Sequence, residues 1–257
     1  MNDQADTTTS ARVGVVTGAT GMLGWATAIE LAARAADVVL CRDPPAAPPS
    51  WRRSARPGRE GRTGQLHALI HTAAALTRDR QHNRAGHELM FATNLLGRFL
   101  LTHQLLPLLE RGAPARVLVV TGPSPDRLDF DDLMAASDFT PFAQFRATNA
   151  ANLLFAFELA RRLEATGVTA NAYHPGALQS ELMRQMPAMV RLLTWPVGRR
   201  PDRAAHALAA LALDGRYAQT TGRFYKRERP ATPPRSSQDT NAQQRLWAQC
   251  QRLLSIE

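Results

Sequence analysis

Lysine is nearly missing from this chain: Lys226 is the only one among 257 residues. The net charge of +9 therefore rests almost wholly on arginine. The arginines are scattered and lack interleaved aromatic residues. That pattern speaks against a nucleic-acid groove, where cations track phosphates and rings stack on bases. Cysteine is as sparse. Cys41 and Cys250 stand far apart with no CxxC and no metal-ligand spacing, so neither a disulfide framework nor a metal centre is expected. Two free thiols suit a reducing cytoplasm. Long apolar runs are absent too. The longest stretch, Leu89 to Leu109, is interrupted by Asn94, Arg98 and His103, which excludes a membrane span there. Residues 1–11 are polar and contain no apolar signal-type segment, and they read as a disordered N-terminus. These absences leave a cytoplasmic protein whose partner is a small-molecule substrate, not nucleic acid or membrane.

What is present fits a single α/β domain. Hydrophobic residues make up 44% and charged residues 21%, an ordinary globular balance at a length that buries a full core. Val13 to Thr17 reads as a buried strand, residues 21–34 as a helix, and Val38 to Cys41 as a second strand, a βαβ opening. Residues 44–65 carry five prolines and five arginines. Proline removes donors and fixes φ, so a Pro/Arg-rich loop is expected there. Further strands are expected near 68–72, 117–120, 168–173 and 224–225. Helices are expected near 86–110, 145–164, 202–213 and 238–254, and residues 182–200 read as a substrate lid. The fold class is a doubly wound, Rossmann-type parallel sheet.

Thr17-Gly18-Ala19-Thr20-Gly21-Met22-Leu23-Gly24 follows a strand and opens a helix. Glycines there let the backbone approach a pyrophosphate, which the helix N-terminus attracts. Thr17, Gly18, Gly21 and Gly24 are thus cofactor candidates. Arg42, at the next strand end, is placed to grip a 2′-phosphate, which points to NADP(H); a solvated loop cation is the other reading.

Cys41-Arg42-Asp43, Thr93-Asn94-Leu95-Leu96-Gly97, Glu158 to Leu163, His174-Pro175-Gly176 through Leu182, and Arg245-Leu246-Trp247 together resemble the short-chain dehydrogenase/reductase (SDR) family, in its retinol-dehydrogenase-like branch. The resemblance runs from Val13 to nearly the C-terminus. It implies a nicotinamide cofactor touching Pro175 and Gly176, and a homodimer through the helices at 86–110 and 145–164. The glycine spacing and His71-Thr72-Ala73-Ala74 lie closer to the family's extended branch. The segment between the second strand and residue 68 is too short for the helix, strand and helix the family places there, so that part of the sheet is expected to be shortened.

The family's catalytic residues are Asn, Ser, Tyr and Lys, and only Asn94 matches. The serine position aligns with Gly122, or with Ser124 after a two-residue slip. Tyrosine becomes Phe145 and lysine becomes Asn149. Phenylalanine has no proton to give, and a general acid is typically worth 10² to 10⁴ in rate. Candidates for replacement chemistry are His71, Ser124 and Asn149 beside Asn94. Phe145, His174, Leu182 and Met183 are candidates for the substrate pocket. Each has a plainer reading: a structural histidine, a loop hydroxyl, a hydrogen-bonding amide, a packed lid. Three functions stay open. One is a small-molecule enzyme of non-redox or non-standard chemistry (cyclisation, isomerisation or elimination) that requires no cofactor. Another is an NADP(H) oxidoreductase with relocated proton transfer. The third is a catalytically silent binding protein.

Overall fold

The apolar run Val13–Thr17 forms β1, buried along its whole length, as a strand covered on both faces must be. A computed structural model describes residues 12–41, 64–122, 124, 127–178, 200–227 and 229–256. The N-terminal residues 1–11, most of the Pro/Arg-rich segment and all of the expected lid except Arg200 lie outside the described residues.

After β1 come α1 (Met22–Ala33), β2 (Asp37–Cys41) and β3 (Ala68–His71). A short helix α2 (Leu89–Phe91) runs through a π turn at Ala92–Leu96 into α3 (Gly97–Arg111). Then follow β4 (Ala115–Val120), α4 (Pro141–Arg162), β5 (Val168–His174), α5 (Asp202–Leu213), β6 (Phe224–Lys226), β7 (Arg229–Pro230) and α6 (Thr240–Leu254). The sheet order is β2-β1-β3-β4-β5-β6-β7, parallel except for β7. The chain reverses direction across the sheet between β1 and β3. That switch point is where α/β sheets bind ligands, outside the carboxyl ends of the strands. Among the described residues β2 ends the sheet, and its Val39 is 43% exposed.

Helices cover both faces. One apolar cluster joins Leu69, Val117 and Ala170 of the sheet to Phe99, Leu153, Phe155 and Leu246 of α3, α4 and α6. The other joins Val16, Ile70, Leu118 and Tyr173 to Leu31 of α1 and Leu208 of α5. Trp247 of α6 sits 4.6 Å from the Phe99 ring and 6.1 Å from the Phe155 ring, with the Arg162 guanidinium 4.4 Å from its own ring centre. The chain's own last helix therefore packs against α3 and α4, the two helices through which a second copy is expected to associate.

Three helix starts differ from the sequence reading by two residues or more. The helix expected at 86 starts at Leu89, because the buried Glu88 carboxylate accepts from the N–H groups of Met90 (2.8 Å) and Phe91 (2.7 Å) and caps it there. The helix expected at 145 starts at Pro141, since proline in a first turn leaves no N–H unpaired. The last helix begins at Thr240 rather than 238: Asp239 accepts from Asn241 and Ala242. Among the described residues no helix is long and apolar enough to cross a membrane.

Candidate active site

The glycine loop is built for close approach. Gly18 has φ +65°, and a Cβ on it would lie 2.5 Å from the Ala73 nitrogen and Cα. A Cβ on Gly24 would lie 2.6 Å from Thr72 Oγ1, so only glycine lets α1 sit this close to the β3 end. Gly21 caps α1 without a side-chain bond, and the first turn of α1 holds no acidic residue. The helix N-terminus thus faces the switch point with its positive end unneutralised. These residues fit the pyrophosphate of a dinucleotide. Thr17 is 7% exposed and works as a tie: its Oγ1 accepts from the Ala73 N–H (3.3 Å), and its carbonyl accepts from Thr72 Oγ1 (2.5 Å). Arg42 lies outside the described residues, as do Leu182 and Met183.

Asn94 stands in the π turn, where the extra residue re-aims its side chain. Its Oδ1 accepts from the Ala75 N–H (2.6 Å), while Nδ2 donates to the Ala75 carbonyl (3.0 Å) and to Thr148 Oγ1 (3.1 Å). Both amide protons are spent inside the protein. Asn94 is a clamp between the loop after β3 and α4. One turn on, the buried Arg98 (4% exposed) donates to the carbonyls of Val120 (2.6 Å) and Ala73. Its Nε has no partner among the described residues. Desolvation lowers its pKa to about 9, so it stays charged at neutral pH.

His71, the catalytic candidate on β3, is fully buried. Its Nε2 lies 2.8 Å from Thr102 Oγ1, whose proton goes to the Arg98 carbonyl (2.8 Å). The histidine must therefore donate from Nε2, and it is neutral. Burial first, then the Arg98 charge, hold its pKa well below the ordinary value. It is turned into the core rather than the cleft.

Of Gly122, Phe145 and Asn149, the residues that the sequence reading aligns with the family's serine, tyrosine and lysine, the structure brings Gly122 and Asn149 into contact. A Cβ on Gly122 would lie 2.9 Å from Asn149 Nδ2. The asparagine amide thus fills the space where a serine side chain would begin. The backbone carbonyl of Asn149 accepts from Thr121 Oγ1 (3.0 Å), which locks α4 to the end of β4. Phe145 is buried with Leu76 and Met90 in a small apolar cluster. Ser124 is elsewhere. Its carbonyl accepts from Arg146 (3.2 Å), and it lines a cavity of about 750 Å³ between the loop at 127–131, α4 residues Ala150, Leu153 and Leu154, and the start of α6.

His174 ends β5. Its Nδ1 accepts from the Gly176 N–H (3.3 Å), which shapes the turn, and Gly176 has φ +84°. Burial, then Lys226, lower its pKa to about 4, so it is a neutral acceptor. Pro175 and Gly176 lie at the sheet's carboxyl edge beside it. Sequence reasoning missed Arg98 and Thr148 as site residues. The Asn94–Arg98 spacing of four was visible, but nothing in it revealed that both side chains hold one loop.

No family-level sequence profile matches the chain. Individual relatives do. The chain is 36% identical over 279 residues to human dehydrogenase/reductase SDR family member 13, covering 95% of this chain and 74% of that one. It is 32% identical to human retinol dehydrogenase 12, covering 95% and 87%. In structure it is similar to an uncharacterized protein from Mycobacterium paratuberculosis (TM-score 0.72, 27% identity, 96% and 94% covered). It also shares its fold with a 3-ketoacyl-(acyl-carrier-protein) reductase from Brucella melitensis complexed with NADH (TM-score 0.58, 21% identity, 84% and 96% covered). This chain belongs to the short-chain dehydrogenase/reductase family. Its named relatives lie among the retinol dehydrogenases and their kin.

Proposed function

We propose that the chain is an atypical SDR enzyme that holds a nicotinamide dinucleotide on the Gly18–Gly24 loop. In this reading it acts on a small apolar molecule without the family's tyrosine–lysine proton delivery. One observation supports it most: the Asn149 amide occupies the space beside Gly122 where a side chain would begin, at residues that the sequence reading, together with Phe145, aligns with the family's serine, lysine and tyrosine. None of these side chains can give or take a proton near neutral pH. The nearby histidines are neutral, and His71 is sealed in the core. What remain are fixed amides and dipoles at the carboxyl edge of the sheet, which in this reading form the floor of a substrate cleft. Such a cleft favours reactions that gain from positioning, namely isomerisation, elimination or cyclisation.

The glycine loop supports a second reading, an NADP(H) oxidoreductase that takes its proton from elsewhere. When bound, the nicotinamide supplies a hydride. The chain's own part is to seat the pyrophosphate on the first turn of α1 and to keep the loop at 73–75 in place through Asn94 and Arg98. Purified protein incubated with NADPH or NADP⁺ and a panel of apolar alcohol–ketone pairs separates the two. The first reading expects no redox turnover above about 10⁻² of ordinary enzyme rates. Conversion at ordinary dehydrogenase rates overturns it and leaves the second.

A further inference from the structure

Asn149 carries no positive charge, yet a buried positive charge, Arg98, is tied to Val120 and Ala73 at the end of β4 and just beyond the end of β3. Arg98 is 4% exposed and no carboxylate pairs with it among the described residues. Its donors meet only neutral carbonyls, those of Val120 and Ala73, and His71 beside it is neutral. An uncompensated buried cation is costly, and a purely mechanical tie between two strand ends could be made by a neutral side chain. Its position suggests what it does. Val120 ends β4 two residues before Gly122, the serine position that Asn149 now fills. Ala73 packs directly against Gly18 of the glycine loop. The guanidinium therefore lies just beneath the carboxyl edge of β3 and β4, between the pyrophosphate loop and the degenerate catalytic positions.

We infer that Arg98 is an electrostatic positioning residue that biases the cleft against a positively charged ring and so favours the reduced, neutral nicotinamide over the oxidised, cationic one. The inference rests on the proposed binding of a nicotinamide dinucleotide. NADPH and NADP⁺ differ only in the nicotinamide ring, so the change in their affinity ratio between wild type and an Arg98 variant reads the ring charge. Like-charge repulsion across a partly buried site, at an effective dielectric of about 20, corresponds to a ratio on the order of tenfold.

Calorimetric titration of the wild-type chain with each form, at low salt, reads that ratio directly. The expected result is NADPH binding about tenfold or more tighter than NADP⁺. Equal affinities overturn the inference without any variant being made. In Arg98→Met the ratio is expected to fall toward one, whereas Arg98→Lys should keep most of it. A loss of affinity that is the same for both forms in Arg98→Met would mean Arg98 only props the loop, and the inference fails while the proposed binding stands. If neither form binds the wild type, the binding proposal and the inference fail together. Binding of both forms with a preserved ratio in Arg98→Met defeats the inference alone.

Discussion

Gly122 and Asn149 behave as one unit, because the amide of one occupies the side-chain space of the other. Gly122→Ser alone is expected to overpack the site and cost about 1–3 kcal/mol, measured by chemical denaturation. The same change made together with Asn149→Ala should recover most of that loss; no recovery would mean that the strain lies elsewhere. The contact also bears on restoration. Phe145→Tyr with Asn149→Lys leaves the serine position empty, so recovered reductase activity is expected to need Gly122→Ser as well. His174 yields a pH prediction. Its folded pKa, about 4, lies below the ordinary 6.5, with burial as the main cause. The unfolded chain therefore binds the proton more tightly, and the stability this group contributes is fully present above about pH 6.5 and is lost as pH falls toward 4. Denaturant midpoints from pH 7.5 to 4 should fall, and should fall less in His174→Asn. An equal slope in the two proteins would remove His174 from the account.

Among the elements, α6 changes what the helix face of the domain can do. Trp247 fills the gap between Phe99 of α3 and Phe155 of α4, and Arg162 lies over its ring. Trp247→Ala should cost roughly 2–3 kcal/mol, below the 3–5 typical of a fully buried aromatic because this ring is only partly buried. It should also uncover part of the face of α3 and α4. Sedimentation of the variant against wild type checks this: α6 acting as a cover predicts that self-association appears or strengthens, and unchanged sedimentation would speak against it. The π turn at Ala92–Leu96 has a comparable influence at shorter range. It delivers Asn94 to Ala75 and Thr148, and places Arg98 one turn later beneath the sheet edge. The apolar stripe of α3 was legible in the sequence. The π turn was not, because it arises from how the helix meets the β3 loop.

For the molecule as a whole, the parallel sheet sets up a ligand site at the β1–β3 switch point, and the glycine loop keeps one half of it in working shape. A titration with NADPH should show saturable binding, and a Gly18→Val change should abolish it, because the added Cβ would lie 2.5 Å from Ala73. Binding that survives this substitution would show that the dinucleotide does not use the loop.

The amino-acid sequence by itself determined the family scaffold. Buried β-branched runs alternating with amphipathic stretches, and glycines at the β1 turn, are local patterns that dictate strands, helices and a phosphate-type loop. It also supplied the alignment on which the proposed function rests, because phenylalanine at 145 and asparagine at 149 have no side-chain proton to exchange near neutral pH. Tertiary structure alone decided the roles of the residues that remain. Whether His71 faces cleft or core, whether Asn94 has a proton to spare, which α4 side chain Gly122 meets, and whether Arg98 has a counter-charge all depend on groups tens of residues apart in the chain. Burial and hydrogen bonding are properties of that three-dimensional neighbourhood, and no local pattern encodes them.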